Sequence, residues 1–146
     1  MIHSIYIAKS ISAPMISRTT VSIVENKGII GDRYYQDLNR ESVDYQITFI
    51  EQEVIDLYNY ECGEKIEYHR PRRNIITTGI RLNTLVNRRF YCNGCIFNGI
   101  EICEPCKKLG DNISGFALKW FVGRGGLRCQ ILSGGTISVG DEIKVL

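Results

Sequence analysis

Two cysteine pairs carry the first chemical signal in this chain. Cys92-x-x-Cys95 and Cys103-x-x-Cys106 stand seven residues apart. Four thiolates can hold a tetrahedral zinc ion. Zinc ribbons usually separate their pairs by about 15–20 residues, so the shorter gap requires a hairpin within Ile96–Ile102 to join them. The second pair has a further reading. Cys103-Glu104-Pro105-Cys106 follows an apolar strand end and precedes Lys107-Lys108-Leu109. Pro105 suits the first turn of a short helix. Exposed N–H groups and two lysines would then lower the Cys106 pKa from its usual value of about 8.5. Such a sulfur can act as a nucleophile, a sulfide carrier or a soft metal ligand. Dithiol exchange would need βαβ packing around the motif, and the pattern gives none. The plain alternative is packing, since free cysteine behaves as a small hydrophobe.

Arginines form the second signal. Arg70, Arg72 and Arg73 crowd one stretch beside His69, Arg88 and Arg89 form a pair, and Arg124 and Arg128 lie close together. Guanidinium is the natural partner of phosphate or carboxylate, which points to a small anionic ligand. Solvated loop charges are the alternative. Two glycine-spaced turns carry polar groups: Gly28-Ile29-Ile30-Gly31-Asp32-Arg33 and Gly123-Arg124-Gly125-Gly126. Free backbone N–H groups beside arginine can cradle an anion. Neither turn matches a P-loop or a dinucleotide fingerprint. In the simpler reading Asp32 and Arg33 pair with each other. Of the two histidines, His3 reads as structural and His69 as a possible anion contact.

The elements that must position these groups are mostly strands. His3, Ile5 and Ile7 alternate with Ser4 and Tyr6, and Thr19–Val24 places Val21 and Ile23 on one face. Asn26-Lys27-Gly28 turns the chain, and Tyr45-Gln46-Ile47 reads as a third strand. Ile50, Val54, Leu57 and Tyr58 form a helical stripe, with Thr48 and Glu51 at capping-box spacing and Cys62-Gly63 at its end. Further strands are expected at Asn74–Thr77, Arg89–Cys92, Cys95–Ile102, Arg128–Leu132 and Ile137–Leu146, with a short helix near Ser114–Val122. Short strands with glycine turns and one clear helix predict a mainly β barrel.

At 146 residues, 44% hydrophobic and 23% charged, the chain reads as one globular domain, 1–146. A net charge of +2 is too small to mark a nucleic-acid binder. No apolar run approaches the roughly 20 residues of a membrane span. The amino-terminal residues read as a strand, not a signal peptide. The expected location is therefore cytoplasmic, where six cysteines stay reduced.

In combination these segments resemble the MOSC family, named after the C-terminal domain of molybdenum cofactor sulfurases. The resemblance rests on Gly31-Asp32-Arg33, Gln46-Ile47-Thr48-Phe49-Ile50-Glu51 and Arg72-Arg73-Asn74-Ile75-Ile76-Thr77-Thr78-Gly79-Ile80 with Leu82 and Leu85. Cys103-Glu104-Pro105-Cys106, Gly123-Arg124-Gly125-Gly126-Leu127, Gly135-Thr136-Ile137 and Gly140-Asp141 complete it, in order along nearly the whole chain. It implies a MOSC-type β-barrel with one or two short helices, standing alone without the pyridoxal phosphate-dependent sulfurase domain. It also implies a pocket for the molybdenum cofactor, molybdopterin, an anionic pterin phosphate. By resemblance Cys106 is the molybdenum ligand or sulfur carrier, with Cys103 second. Arg72, Arg73, Asn74 and Arg124, with Gly125, Asp32 and Arg33, would bind the cofactor. The activity implied is reduction of N-hydroxylated compounds or transfer of the cofactor or its sulfur, with an electron-donor or sulfurtransferase protein as partner. Cys92-x-x-Cys95 departs from the family pattern. It keeps open a zinc-stabilised, non-catalytic module built on Cys92, Cys95, Cys103 and Cys106. Cys129 reads as core.

Overall fold

A computed structural model describes residues 1–37, 45–105 and 116–146. Its strands are β1 (Ile2–Ile7), β2 (Ile16–Arg18), β3 (Thr20–Val24), β4 (Gly28–Ile29), β5 (Ile47–Glu51), β6 (Ile75–Thr77), β7 (Arg89–Cys92), β8 (Cys95–Ile102), β9 (Leu127–Ser133), β10 (Gly135–Ser138) and β11 (Ile143–Val145). Helix α1 spans Gln52–Cys62, a 3-10 turn spans Leu82–Leu85, and a single-turn helix α2 spans Ala117–Trp120. The architecture is mainly β, as the short alternating segments predict.

Eight strands form one sheet in the order β11-β7-β8-β9-β5-β6-β1-β2, and three form a second in the order β10-β3-β4. These ladders do not close into a barrel: among the described residues β11 and β2 remain edges. The small sheet instead covers the large one. Val21, Ile23, Ile29 and Ile137 share one buried cluster with Ile5, Phe49, Phe90, Phe97 and Ile131. Backbone bonds join the two sheets, from Asn26 N–H to the Ile131 carbonyl (3.0 Å) and from Gly140 N–H to the Ile2 carbonyl (2.8 Å). Phe49, Phe90 and Phe97 fill the centre with ring centroids 5.2–5.5 Å apart. That spacing suits edge-to-face and offset-stacked rings.

Strands β5 and β6 are parallel, with Phe49 opposite Ile75. Both of their faces are covered. Ile47 and Phe49 enter the main cluster, while Ile50 and Ile76 pack with Ile55, Tyr58, Ala117 and Phe121 under the helices. Burial on two faces explains the near-continuous apolar run Ile47-Thr48-Phe49-Ile50.

This run also misleads a periodicity reading. Ile50 and Thr48 belong to the strand, and α1 begins at Gln52 with no side-chain cap from Glu51. The expected capping box is therefore absent; the Thr48 hydroxyl bonds Asn74 instead. The buried face of α1 is Ile55 and Tyr58, and Leu57 is exposed. The helix ends as expected, with Gly63 in the left-handed conformation at φ 65°. In β1 a bulge between Ile2 and Ser4 shifts the alternation, so Ile2, Ile5 and Ile7 are buried and His3 is exposed. The expected carboxy-terminal strand is two, β10 and β11, separated by the Gly140-Asp141 turn.

Candidate functional site

Four sequence-distant segments meet beside the start of β6. The first is the turn after β4. Asp32 is buried there and accepts from Ala8 N–H (3.1 Å) and Tyr34 N–H (3.4 Å). Arg33 donates to it at 3.0 Å, with side-chain exposures of 5% and 0% for the pair. The simpler reading of these two residues thus describes their contacts. Arg33 does one thing more: its Nη2 donates to the Arg72 carbonyl at 2.9 Å. Its guanidinium also lies 4.6 Å from the centroid of the Tyr34 ring.

The second segment is Arg72-Arg73-Asn74. Arg72 adopts φ 62°, a conformation uncommon for a side chain of this size. It follows a turn in which its N–H bonds the His69 carbonyl at 3.0 Å. Its Nη2 donates to the Ile11 carbonyl at 3.0 Å. Burial and then the neighbouring Arg33 charge push its pKa below the usual guanidinium value. Among the described residues the carboxylate acting against them there is Asp32, already occupied by Arg33 and two N–H groups. Two guanidinium groups so placed favour an anion.

Arg73 is fixed by its Nε, which donates to the Gly125 carbonyl at 2.8 Å. Asn74 is fully buried. Its Oδ1 accepts from Thr48 N–H (3.1 Å) and the Thr48 hydroxyl (3.2 Å), and its Nδ2 donates to the Tyr6 carbonyl (3.1 Å). Every strong group of that amide has a protein partner, so Asn74 positions the strand beside the arginines rather than facing a ligand. Thr48, its reciprocal partner, carries no functional signature in sequence.

The third segment is Cys103, just past β8, and the fourth is the glycine loop. A Cβ on Gly125 would collide with the Cys103 carbonyl, which explains glycine at that position. Cys103 N–H donates to the Gly126 carbonyl at 2.7 Å. Burial pushes the Cys103 thiol up, while the Arg73 and Arg128 guanidinium groups oppose that rise. Arg128 is held by Glu101 at 2.6 Å and lies 4.7 Å from the Tyr45 ring centroid. Cys106, with Lys107 and Lys108, lies outside the described residues.

Two expected contributors stand elsewhere. Arg124 turns onto the Trp120 ring, 4.3 Å from its centroid, and lines a cleft that does not include Arg72, Arg73 or Cys103. His69 lies 3.2 Å from Glu67 and packs on Tyr6.

The four-thiolate zinc reading needs correction. Cys92 and Cys95 face each other across the β7–β8 hairpin, whose turn residues Asn93 and Gly94 take φ 48° and 79°. Ile96–Ile102 is not a hairpin but the body of strand β8. At about 3.3 Å per residue, the strand holds Cys95 and Cys103 roughly 20 Å or more apart, far beyond a shared zinc shell. Among the described residues no cluster of three or more histidine, cysteine, aspartate or glutamate side chains can hold a metal ion. Cys92, Cys95 and Cys129 are fully buried core residues.

The comparisons agree with this fold. The MOSC domain profile matches residues 25–144. The chain belongs to the MOSC domain family. Among solved structures it is similar to the YuaD protein from Bacillus subtilis, with a TM-score of 0.85 at 19% identity, covering 99% of this chain and 93% of that one. It is also similar to YiiM from Geobacillus stearothermophilus, with a TM-score of 0.73 at 15% identity, covering 100% and 74%. YiiM from Escherichia coli gives 0.69 at 14% identity, covering 100% and 70%. No curated protein matches the chain. No described helix is long and apolar enough to cross a membrane.

Proposed function

We propose that this MOSC chain binds the molybdenum cofactor, with Arg72 and Arg73 on its phosphate and Cys106 as molybdenum ligand or sulfur carrier. The observation that carries the reading is the Arg72 guanidinium, which lies close enough to Arg33 to feel its charge while the neighbouring Asp32 carboxylate is already spent on Arg33. An anionic phosphate fits that excess of positive charge. Arg33 orients the Arg72 backbone, and the Gly125 carbonyl anchors Arg73 so that its terminal nitrogens can turn to a ligand. The buried Cys103 thiol stays protonated near neutral pH, which suits a supporting role beside the arginines and leaves the reactive role to Cys106. When bound, the cofactor supplies a molybdenum centre that exchanges electrons or sulfur. The activity proposed is reduction of N-hydroxylated compounds or handover of the cofactor or its sulfur, with a partner protein supplying electrons or sulfur.

The test is the pterin and molybdenum content of protein from a host that makes the cofactor. The double variant Arg72→Ala, Arg73→Ala should lose fluorescent pterin yet still unfold cooperatively. Cys106→Ser should lose molybdenum or sulfur transfer, and Cys103→Ser should lose less. Unchanged pterin in the double variant removes the phosphate assignment; molybdenum and sulfur transfer retained by Cys106→Ser remove the sulfur assignment.

A further inference from the structure

A second cleft opens beyond the carboxy-terminal ends of the parallel strands β5 and β6. Its cavity measures about 590 Å³ and is lined by Glu51, the first turns of α1, the Gly79–Arg81 loop, the 3-10 turn and Arg124. Asn83 Nδ2 donates to the Gly123 carbonyl at 2.9 Å, tying that turn to the glycine loop. The walls have three chemical parts. Val54, Leu57 and Ile80 form an apolar side. Arg81 and Arg124 supply cations, and Glu51 supplies a half-buried carboxyl.

Their bonding is incomplete. Among the described residues Glu51 Oε2 accepts only a long bond from Leu82 N–H, at 3.3 Å. Arg81 is near enough to act on the Glu51 charge, yet the two form no ion pair. Arg124 rests on the Trp120 face, which fixes its plane and leaves its N–H edges without a hydrogen-bond partner among the described residues. Trp120 is itself held by a bond from its Nε1 to Glu61 at 2.8 Å. Glu53, by contrast, is occupied by Thr78 and Gly79.

We propose that this cleft binds a small zwitterion, an amino acid with an apolar side chain. Its carboxylate lies between Arg81 and Arg124, its ammonium on Glu51, and its side chain along Val54, Leu57 and Ile80. A zwitterion spans opposite charges that the described residues leave without ion pairs. A simple acid would leave Glu51 facing its apolar body, and a simple amine would leave both arginines without an anion. The site does not depend on the cofactor reading, because none of Arg72, Arg73 or Cys103 lines it.

The experiment titrates L-leucine, 4-methylpentanoate and isopentylamine calorimetrically into the full chain. The protein is made in a host without molybdenum cofactor, so the outcome is separate from the reading above. Ligand reaches about 10 mM, enough to saturate even a millimolar site. The expected result is saturable binding of L-leucine, with the acid and the amine each weaker by roughly tenfold or more, because each leaves a charged partner unpaired. Glu51→Gln and Arg124→Gln should weaken L-leucine by a similar factor. No saturable leucine binding, or 4-methylpentanoate binding as tightly as leucine, overturns the proposal. The ligand series on the unaltered chain decides it even where a variant folds poorly.

Discussion

Burial governs the thiols of Cys92, Cys95, Cys103 and Cys129. Cys92 is pushed up to about 12, first by desolvation and then by Asp141, and Cys95, Cys103 and Cys129 are raised by the same primary cause. A thiol whose folded pKa exceeds its unfolded value, near 9, stabilises the fold fully below that value. The contribution is lost as pH rises through the folded pKa. Stability should therefore fall between about pH 9 and 12, and Cys92→Ala should flatten part of that decline while lowering stability at pH 7. Urea unfolding at a series of alkaline pH values measures both effects. Asn74 makes a different residue-scale prediction. Asn74→Leu keeps the branched heavy-atom shape but leaves the Thr48 N–H and the Tyr6 carbonyl without their side-chain partner. The expected loss is about 2–3 kcal/mol, read as a lower urea midpoint with an unchanged slope.

At the scale of elements, the glycine loop between α2 and β9 joins the fold to the site. Gly125 lies against the Cys103 carbonyl, and its own carbonyl holds Arg73. Gly125→Ala should displace the loop by the width of a methyl group, costing roughly 1–3 kcal/mol as other overpacking does. It should also loosen Arg73, so pterin retention should fall more than the loss of melting temperature alone explains. The comparison is Gly94→Ala, at a hairpin turn with φ 79° and open space around its Cα. That variant carries backbone strain of about 1 kcal/mol but should retain pterin.

At the scale of the molecule, the length of β8 keeps Cys92 and Cys95 far from Cys103. Those three thiols cannot share one structural zinc ion, because zinc and folding are coupled only where the ligands converge. A strong chelator should leave the thermal midpoint within about 1 °C of its starting value, since thiols held this far apart share no zinc for it to withdraw. Differential scanning calorimetry with and without chelator is the check. A large drop restored by zinc would contradict it.

Strand positions were legible in the residues because alternation has a period of two and glycine marks the turns. Arg89–Cys92 and Cys95–Ile102 are found at the limits read from sequence. The order of the MOSC motifs was equally legible, since it is a property of the chain and not of its packing. Periodicity failed at Thr48 and Ile50, where burial on both faces of a short parallel strand imitates the apolar stripe of a helix start. The partnering of side chains also belongs to the tertiary structure. Arg33 reaches the Arg72 carbonyl across 39 positions, Arg73 reaches Gly125 across 52, and Asn74 holds Thr48 across 26. Spacing along the chain carries no trace of such pairs, because sheet order rather than sequence distance brings them together. Arg124 shows the same limit. The family resemblance grouped it with Arg72 and Arg73 at one cofactor site, but the stack on Trp120 turns it into another cleft. The sequence determined which residues carry charge and sulfur; the packing of β5, β6 and β9 decided which of them face one another.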